Sequence, residues 1–207
     1  MRLPLCLALC LAIAAPTAAH AQALRPVEFY FDADALTVRP FVVAGETPSI
    51  ERLTRMVERK PGLMVERGQL AQYAMQSGQP QVGADLYRGA LARTDESNAV
   101  WRRLMWNSAW DLHRAGDTAA ALAQWQRLIT ARGSTASWVP PTLAMSLWVN
   151  GRRDEALHWY AAAVRTEPAQ WRGTERHARL LPGWRPQDLK VLADVHAAWA
   201  AAPPRWP

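Results

Sequence analysis

The sequence predicts an all-α protein, a solenoid of antiparallel helix pairs carrying a short extended or β arm at its N-terminus. Three observations lead there. Apolar residues recur at helical spacing through most of residues 49–201, which is the pattern of helices with one buried stripe. Gly78, Gly116 and Gly151 punctuate that pattern at intervals of roughly 35 to 40 residues, the range of helical repeats. After each glycine a small residue is followed one helical turn later by an aromatic one: Gly83 and Tyr87, Ala121 and Trp125, Ala156 and Tyr160.

Residues 143–168 are the clearest copy. A short apolar run ends at Asn150 and Gly151, both tolerant of the left-handed conformation that closes a helix. Asp154 and Glu155 then place negative charge where the next helix dipole is positive, and Ala156, Leu157, Tyr160, Ala163 and Val164 share one face before Pro168 stops it.

Leu143, Ala144, Gly151, Ala156, Tyr160, Ala163 and Pro168 stand at the spacings of the tetratricopeptide repeat, and this segment resembles that family. Upstream, Leu70, Ala71, Gly78, Gly83, Tyr87 and Ala90 match with Asp95 in place of the exit proline. Between them Ala109, Gly116, Ala121 and Trp125 match, with Ser108 and Leu128 at positions where leucine and a small residue are usual. The resemblance covers residues 49–168. It implies a right-handed array whose first helices line a concave face that binds protein or peptide partners.

The remaining segments are placed around this array. Residues 1–21 read as a cleaved secretory leader: Arg2 is the positive head, residues 3–15 are apolar apart from Pro4, and Ala19 and Ala21 suit a signal peptidase, with Ala21 and Ala23 as a second frame. The apolar run is shorter than the roughly 20 residues of a spanning helix, so no transmembrane span is expected after cleavage. Leu9 before Cys10 argues against a lipoprotein. Cys6 and Cys10 both fall in the leader, leaving an exported chain without thiols, held by packing alone.

Residues 22–48 form the arm. Their β-branched and aromatic runs, broken by Pro40, Gly45 and Pro48, suggest extended segments at 27–31 and 37–43 that must lie on the helices, because two strands alone are marginal. Asp32 and Asp34 read as a polar turn. Ser49 is a candidate N-cap for a helix ending before Pro61. Gly83 inside a helix implies a close helix crossing. Residues 133–137 read as a flexible link, and Pro140 and Pro141 fit the first turn of the following helix. Beyond Pro168, helices over 170–181 and 187–201 read as a capping hairpin spanning 169–201, followed by a loose tail at 202–207.

For function, composition excludes more than it assigns. The net charge of +6 is carried almost wholly by scattered arginines, and nucleic acid is not an expected partner of an exported chain. No His-Glu-x-x-His pattern or phosphate loop is present, so neither cofactor nor metal is expected and no catalytic residue is assigned. The stronger signal is 11 tryptophans, each too large to leave exposed without purpose. On the first helices, Trp106, Trp110, His113 and Arg114 form one stripe and Trp138, Met145 and Trp148 another. With Gln72, Met75, Gln76 and Arg103 they are the candidate partner-binding residues; the alternative is that the tryptophans fill the helix interfaces. The expected function is an exported, periplasmic or secreted scaffold that binds a protein or peptide in its concave groove, in assembly or maintenance of the cell envelope. Two alternatives stand beside it: a peptidoglycan or glycan binder, and a helical accessory domain of a cell-wall hydrolase using Glu96.

Overall fold

A computed structural model describes residues 24–26, 32–133 and 135–205. The leader expected at 1–21 and the extended run expected at 27–31 lie outside the described residues. Within them the chain forms helices throughout: α1 Ala35–Val38, α2 Ile50–Arg59, α3 Met64–Gln76, α4 Pro80–Leu91, α5 Ala99–Arg114, α6 Thr118–Arg132, α7 Val139–Val149, α8 Arg153–Thr166, α9 Pro168–Trp171, α10 His177–Leu180 and α11 Pro186–Ala201. None of these is long and apolar enough to cross a membrane.

Helices α3 with α4, α5 with α6, and α7 with α8 pack as antiparallel hairpins, and successive hairpins pack on each other. Gly78, Gly116 and Gly151 occupy the three bends with φ of 74, 93 and 76°. The bends are closed identically. The glycine N–H donates to the carbonyl three residues back, and the next residue donates five back: Gln79 to Ala74, Asp117 to Leu112 and Arg152 to Leu147. This motif satisfies carbonyls that a helix end leaves orphaned, and it requires the left-handed residue that glycine supplies.

The aromatic positions of the second helices fill the interior. Tyr87, Trp125 and Tyr160 are all buried, the last two completely. One core runs from Trp101 to Val195 across α5–α8 and α11, and a smaller one joins Met64, Ala71, Tyr87, Ala90 and Leu104 to Phe41 of the arm. Gly83 is a packing requirement: a Cβ there would stand 2.5 Å from Met75 Cγ and 3.0 Å from the Ala71 carbonyl. Ser49 caps α2 through Arg52 N, and Pro140 and Pro141 lie in the first turn of α7.

Three segments differ from expectation. In the arm, Thr37 and Val38 belong to the single turn α1 rather than to a strand; the described residues contain only one isolated bridge, Asp32 with Ala136. Arg39, preceding Pro40, returns to an extended conformation at φ −68 and ψ 126°. The part of the expected link at 135–137 is not free, since Thr135 and Ala136 are buried and Ser137 N donates to Asp32 O. Finally, 170–181 is not one helix but the two turns α9 and α10. In a continuous helix the Trp171 carbonyl would accept from Glu175 N; here it accepts from the Tyr160 hydroxyl at 2.7 Å. Helix α11 packs against α7 and α8, and its Asp188 reaches His113 at the end of α5.

Candidate functional site

The first helices α3, α5 and α7 present one face of the array, and the arm lies across part of it. Arg103 of α5 donates through Nε to the Arg39 carbonyl at 2.9 Å and through its terminal nitrogen to the Pro40 carbonyl. Asn107, one turn further, donates to Arg39 O at 3.0 Å, and Gln72 of α3 accepts from Val42 N at 2.6 Å. The Gln72 amide also donates to Asn107 Oδ1 at 3.4 Å, linking the two helices beneath the arm. Phe41 is 1% exposed, its ring against Gly68, with the Arg103 guanidinium 4.3 Å from the ring centre. Upstream, Arg132 at the end of α6 pairs with Asp32 and Asp34 at 2.5 and 3.0 Å.

Beside the arm a cavity of about 500 Å³ remains. Its walls are Val38 and Pro40 from the arm, Trp106 and Trp110 from α5, Trp138 at the start of α7, and Trp171, Leu180, Leu181 and Trp184 from the C-terminal segment. Polar groups are few: Gln72, Asn107, Arg114, Ser137, Glu167 and Gln170. Four of the indoles form one connected set, Trp106 with Trp138 at 4.6 Å, Trp106 with Trp110 at 5.9 Å and Trp110 with Trp184 at 5.0 Å, all edge to face, while Trp171 packs against Tyr160 and His177. An apolar concavity of this size with a few convergent polar groups is the usual form of a binding site.

Below this floor lie ionisable groups that hold the helices rather than face the cavity. Asp111 is buried and accepts from the Tyr87 hydroxyl at 2.7 Å, with Arg114 3.6 Å away; burial nevertheless pushes its carboxyl up to about 6. Burial would raise Asp188 as well, but hydrogen bonds from His113 and Arg185 outweigh it and hold that carboxyl well below the usual range. His177 is buried against Tyr160, and loss of water, with His196 nearby, depresses its imidazole to about 4.

Of the residues nominated from sequence, the fold brings Gln72, Trp106, Trp110, Arg114 and Trp138 to the cavity and sets Arg103 on the arm. Others go elsewhere. Met145 is fully buried between helices, and His113 has its Nε2 3.0 Å from Asp188; neither lines the cavity. Trp148 is half-buried under the Arg153 guanidinium, outside the cavity. Met75 packs over Gly83, and Gln76 is exposed at the end of α3. Glu96 sits in an exposed ion pair with Arg127, not in the cavity. Asn107, Trp171 and Trp184 are site residues that the repeat pattern missed. Asn107 carried a signal, one turn beyond Arg103, whereas Trp171 and Trp184 fall beyond the best-matching repeats.

Comparison with known proteins fits this architecture. A family model described as tetratricopeptide repeat matches residues 50–182, from α2 to the turn after α10. Neither the curated proteins nor the solved structures gave a significant match. With that match over most of the chain, and with three glycine-closed hairpins in register, the protein belongs to the tetratricopeptide repeat family.

Proposed function

We propose that the protein is an exported scaffold that captures a peptide segment of a protein partner on its concave face, in assembly or maintenance of a cell-envelope complex. The observation that carries this reading is the cavity between the arm and the C-terminal segment, walled by five indoles and edged by Arg114. Indole faces give large apolar contact at little entropic cost, and clusters of tryptophan with arginine are the usual anchors of protein interfaces. Export rests on the leader-like residues 1–21 and on cysteines confined to them.

The rival, a cell-wall glycan ligand, shares the aromatic platform but would draw on more polar groups than this cavity offers. The double variant R114E/W184A separates the readings, because Arg114 is exposed and Trp184 only half-buried; since Arg114 also pairs with Asp111 and Trp184 packs on Trp110, circular dichroism first establishes that the variant is folded. Affinity capture from envelope extract retains a protein partner with wild type and at least about ten-fold less with the variant, while purified peptidoglycan does not sediment the chain. Equal capture by both proteins removes the cavity assignment; sedimentation with peptidoglycan that the variant abolishes favours the glycan reading.

A further inference from the structure

The arm is held the way a repeat scaffold holds a ligand. Four side chains on two neighbouring helices, Gln69, Gln72, Arg103 and Asn107, bind four backbone groups of a non-helical segment, Val42 N and the carbonyls of Arg39, Pro40 and Phe41. Such bonds fix the path of a peptide without reading its sequence. The sequence is read by one seat. Gly68 on α3 leaves the space that the Phe41 ring fills, since a Cβ there would stand 2.7 Å from the ring, and Arg103 closes it from above by cation–π contact. Proline immediately before the aromatic residue holds the preceding Arg39 extended and gives up no N–H that the groove would need to satisfy.

We infer that the seat formed by Gly68, Gln72, Arg103 and Asn107 is a docking site for non-helical segments carrying a proline–aromatic pair, and that residues 39–42 are its resident occupant, displaced by a partner segment of the same chemistry. The inference rests on the scaffold reading above and adds the chemistry of the partner. Two features bear on displacement. Among the described residues the arm forms no strand ladder with the helices, so release of residues 39–42 breaks side-chain clamps and withdraws Phe41 from the small core it shares with Met64, Ala71, Tyr87, Ala90 and Leu104, while the bends and contacts within the helix pairs are made without it. Its exit is a local turn: Val43 N donates to Thr47 Oγ1 at 2.9 Å, Glu46 and Thr47 donate to Val43 O, and Gly45 takes φ 78°. Thr47 Oγ1 also donates to Phe41 O at 3.4 Å and Glu46 pairs with Arg39 at 3.3 Å, so these two contacts join the turn to the occupant. With the arm in place the seat on α3 and α5 is filled, while the tryptophan cavity beside it stays open.

The test uses the full chain and a labelled peptide of residues 36–46, read by fluorescence anisotropy. F41A empties the seat in cis, and the peptide then binds it saturably, at least about ten-fold more tightly than it binds wild type. Binding is lost when the peptide's own phenylalanine is alanine, or when R103A is added to the protein. If F41A does not fold, F41L, which keeps an apolar but smaller side chain, carries the same comparison. Absence of peptide binding to a folded F41A or F41L chain overturns the inference and makes the arm a permanent part of the core. The scaffold reading is judged separately: partner capture that R114E/W184A abolishes survives that negative result, whereas peptide binding without any such capture leaves the seat standing and removes the cavity assignment.

Discussion

Trp110 and Trp148 carry one expectation in the sequence and have two different environments in the fold. Trp110 is 5% exposed and touches Trp106, Trp125, Trp184 and His113, so its indole is both cavity wall and core. W110A therefore removes about 3–5 kcal/mol, as deletion of a large buried aromatic does, and is not the stability-neutral probe that a simple groove stripe implies. W148A costs under about 2 kcal/mol, because its ring is half-buried and half-covered by Arg153. Urea denaturation of the two variants distinguishes them. A second residue-scale prediction concerns pH. His177 has its pKa lowered to about 4, so between the ordinary 6.5 and 4 the unfolded chain takes up a proton the native one refuses, and stability falls as pH drops. Asp111 is raised to about 6, so between the ordinary 3.8 and 6 the native chain holds a proton the unfolded one releases, and stability falls as pH rises. The two oppose each other from pH 4 to 6, and Asp188 acts below that window. Relative to wild type, H177Q loses stability as pH rises from 4.5 to 6 and D111N gains it, each by at most about 1.4 kcal/mol per pH unit. Parallel profiles for all three proteins contradict these assignments.

At the scale of elements, two kinds of glycine make separable demands. Gly116 has open space where a Cβ would stand, so G116A costs only the left-handed backbone, about 1 kcal/mol. Gly83 has ordinary helical backbone and no room, so G83A costs about 1–3 kcal/mol through overpacking. In a double-mutant cycle M75A relieves part of the G83A cost, because Met75 can be removed but the Ala71 carbonyl at 3.0 Å remains. Chemical denaturation of the four proteins measures this, and strict additivity argues against the close crossing. The elements legible in the sequence are those set by local chemistry: the bends at Gly78, Gly116 and Gly151, the cap at Ser49, and the aromatic seats of Tyr87, Trp125 and Tyr160. The elements not legible are set by distant partners. Periodicity over 170–181 reads as one helix, and at its break the Trp171 carbonyl is held by the Tyr160 hydroxyl and the Arg172 carbonyl by His196, both from distant parts of the chain, beside Gly173. Likewise α1 owes its place to Asp34, held at φ 42° with its carboxylate on Arg132, nearly a hundred residues away in the chain.

For the whole molecule, the repeat pattern locates the concave face but does not show what fills it. Gln72, Trp106, Trp110, Arg114 and Trp138 are readable as groove residues because their helices, turns and register are readable. The arm and the segment around Trp171 and Trp184, which turn an open face into a bounded cavity, have no period to read. Met145 and His113 fall inside instead because a stripe at helical spacing specifies a direction, not whether another helix covers it; α11 approaches from the C-terminus and takes His113 on Asp188. The central claim is that partner recognition occurs in this bounded cavity and not on the outer helices. The most direct measurement is photo-cross-linking of envelope extract from a reactive amino acid placed at position 184, in the cavity wall, against the same probe at position 82, where Val82 is exposed on α4. A discrete protein adduct from position 184 and none from position 82 is the predicted result; the same adduct from position 82, with none from position 184, contradicts the account.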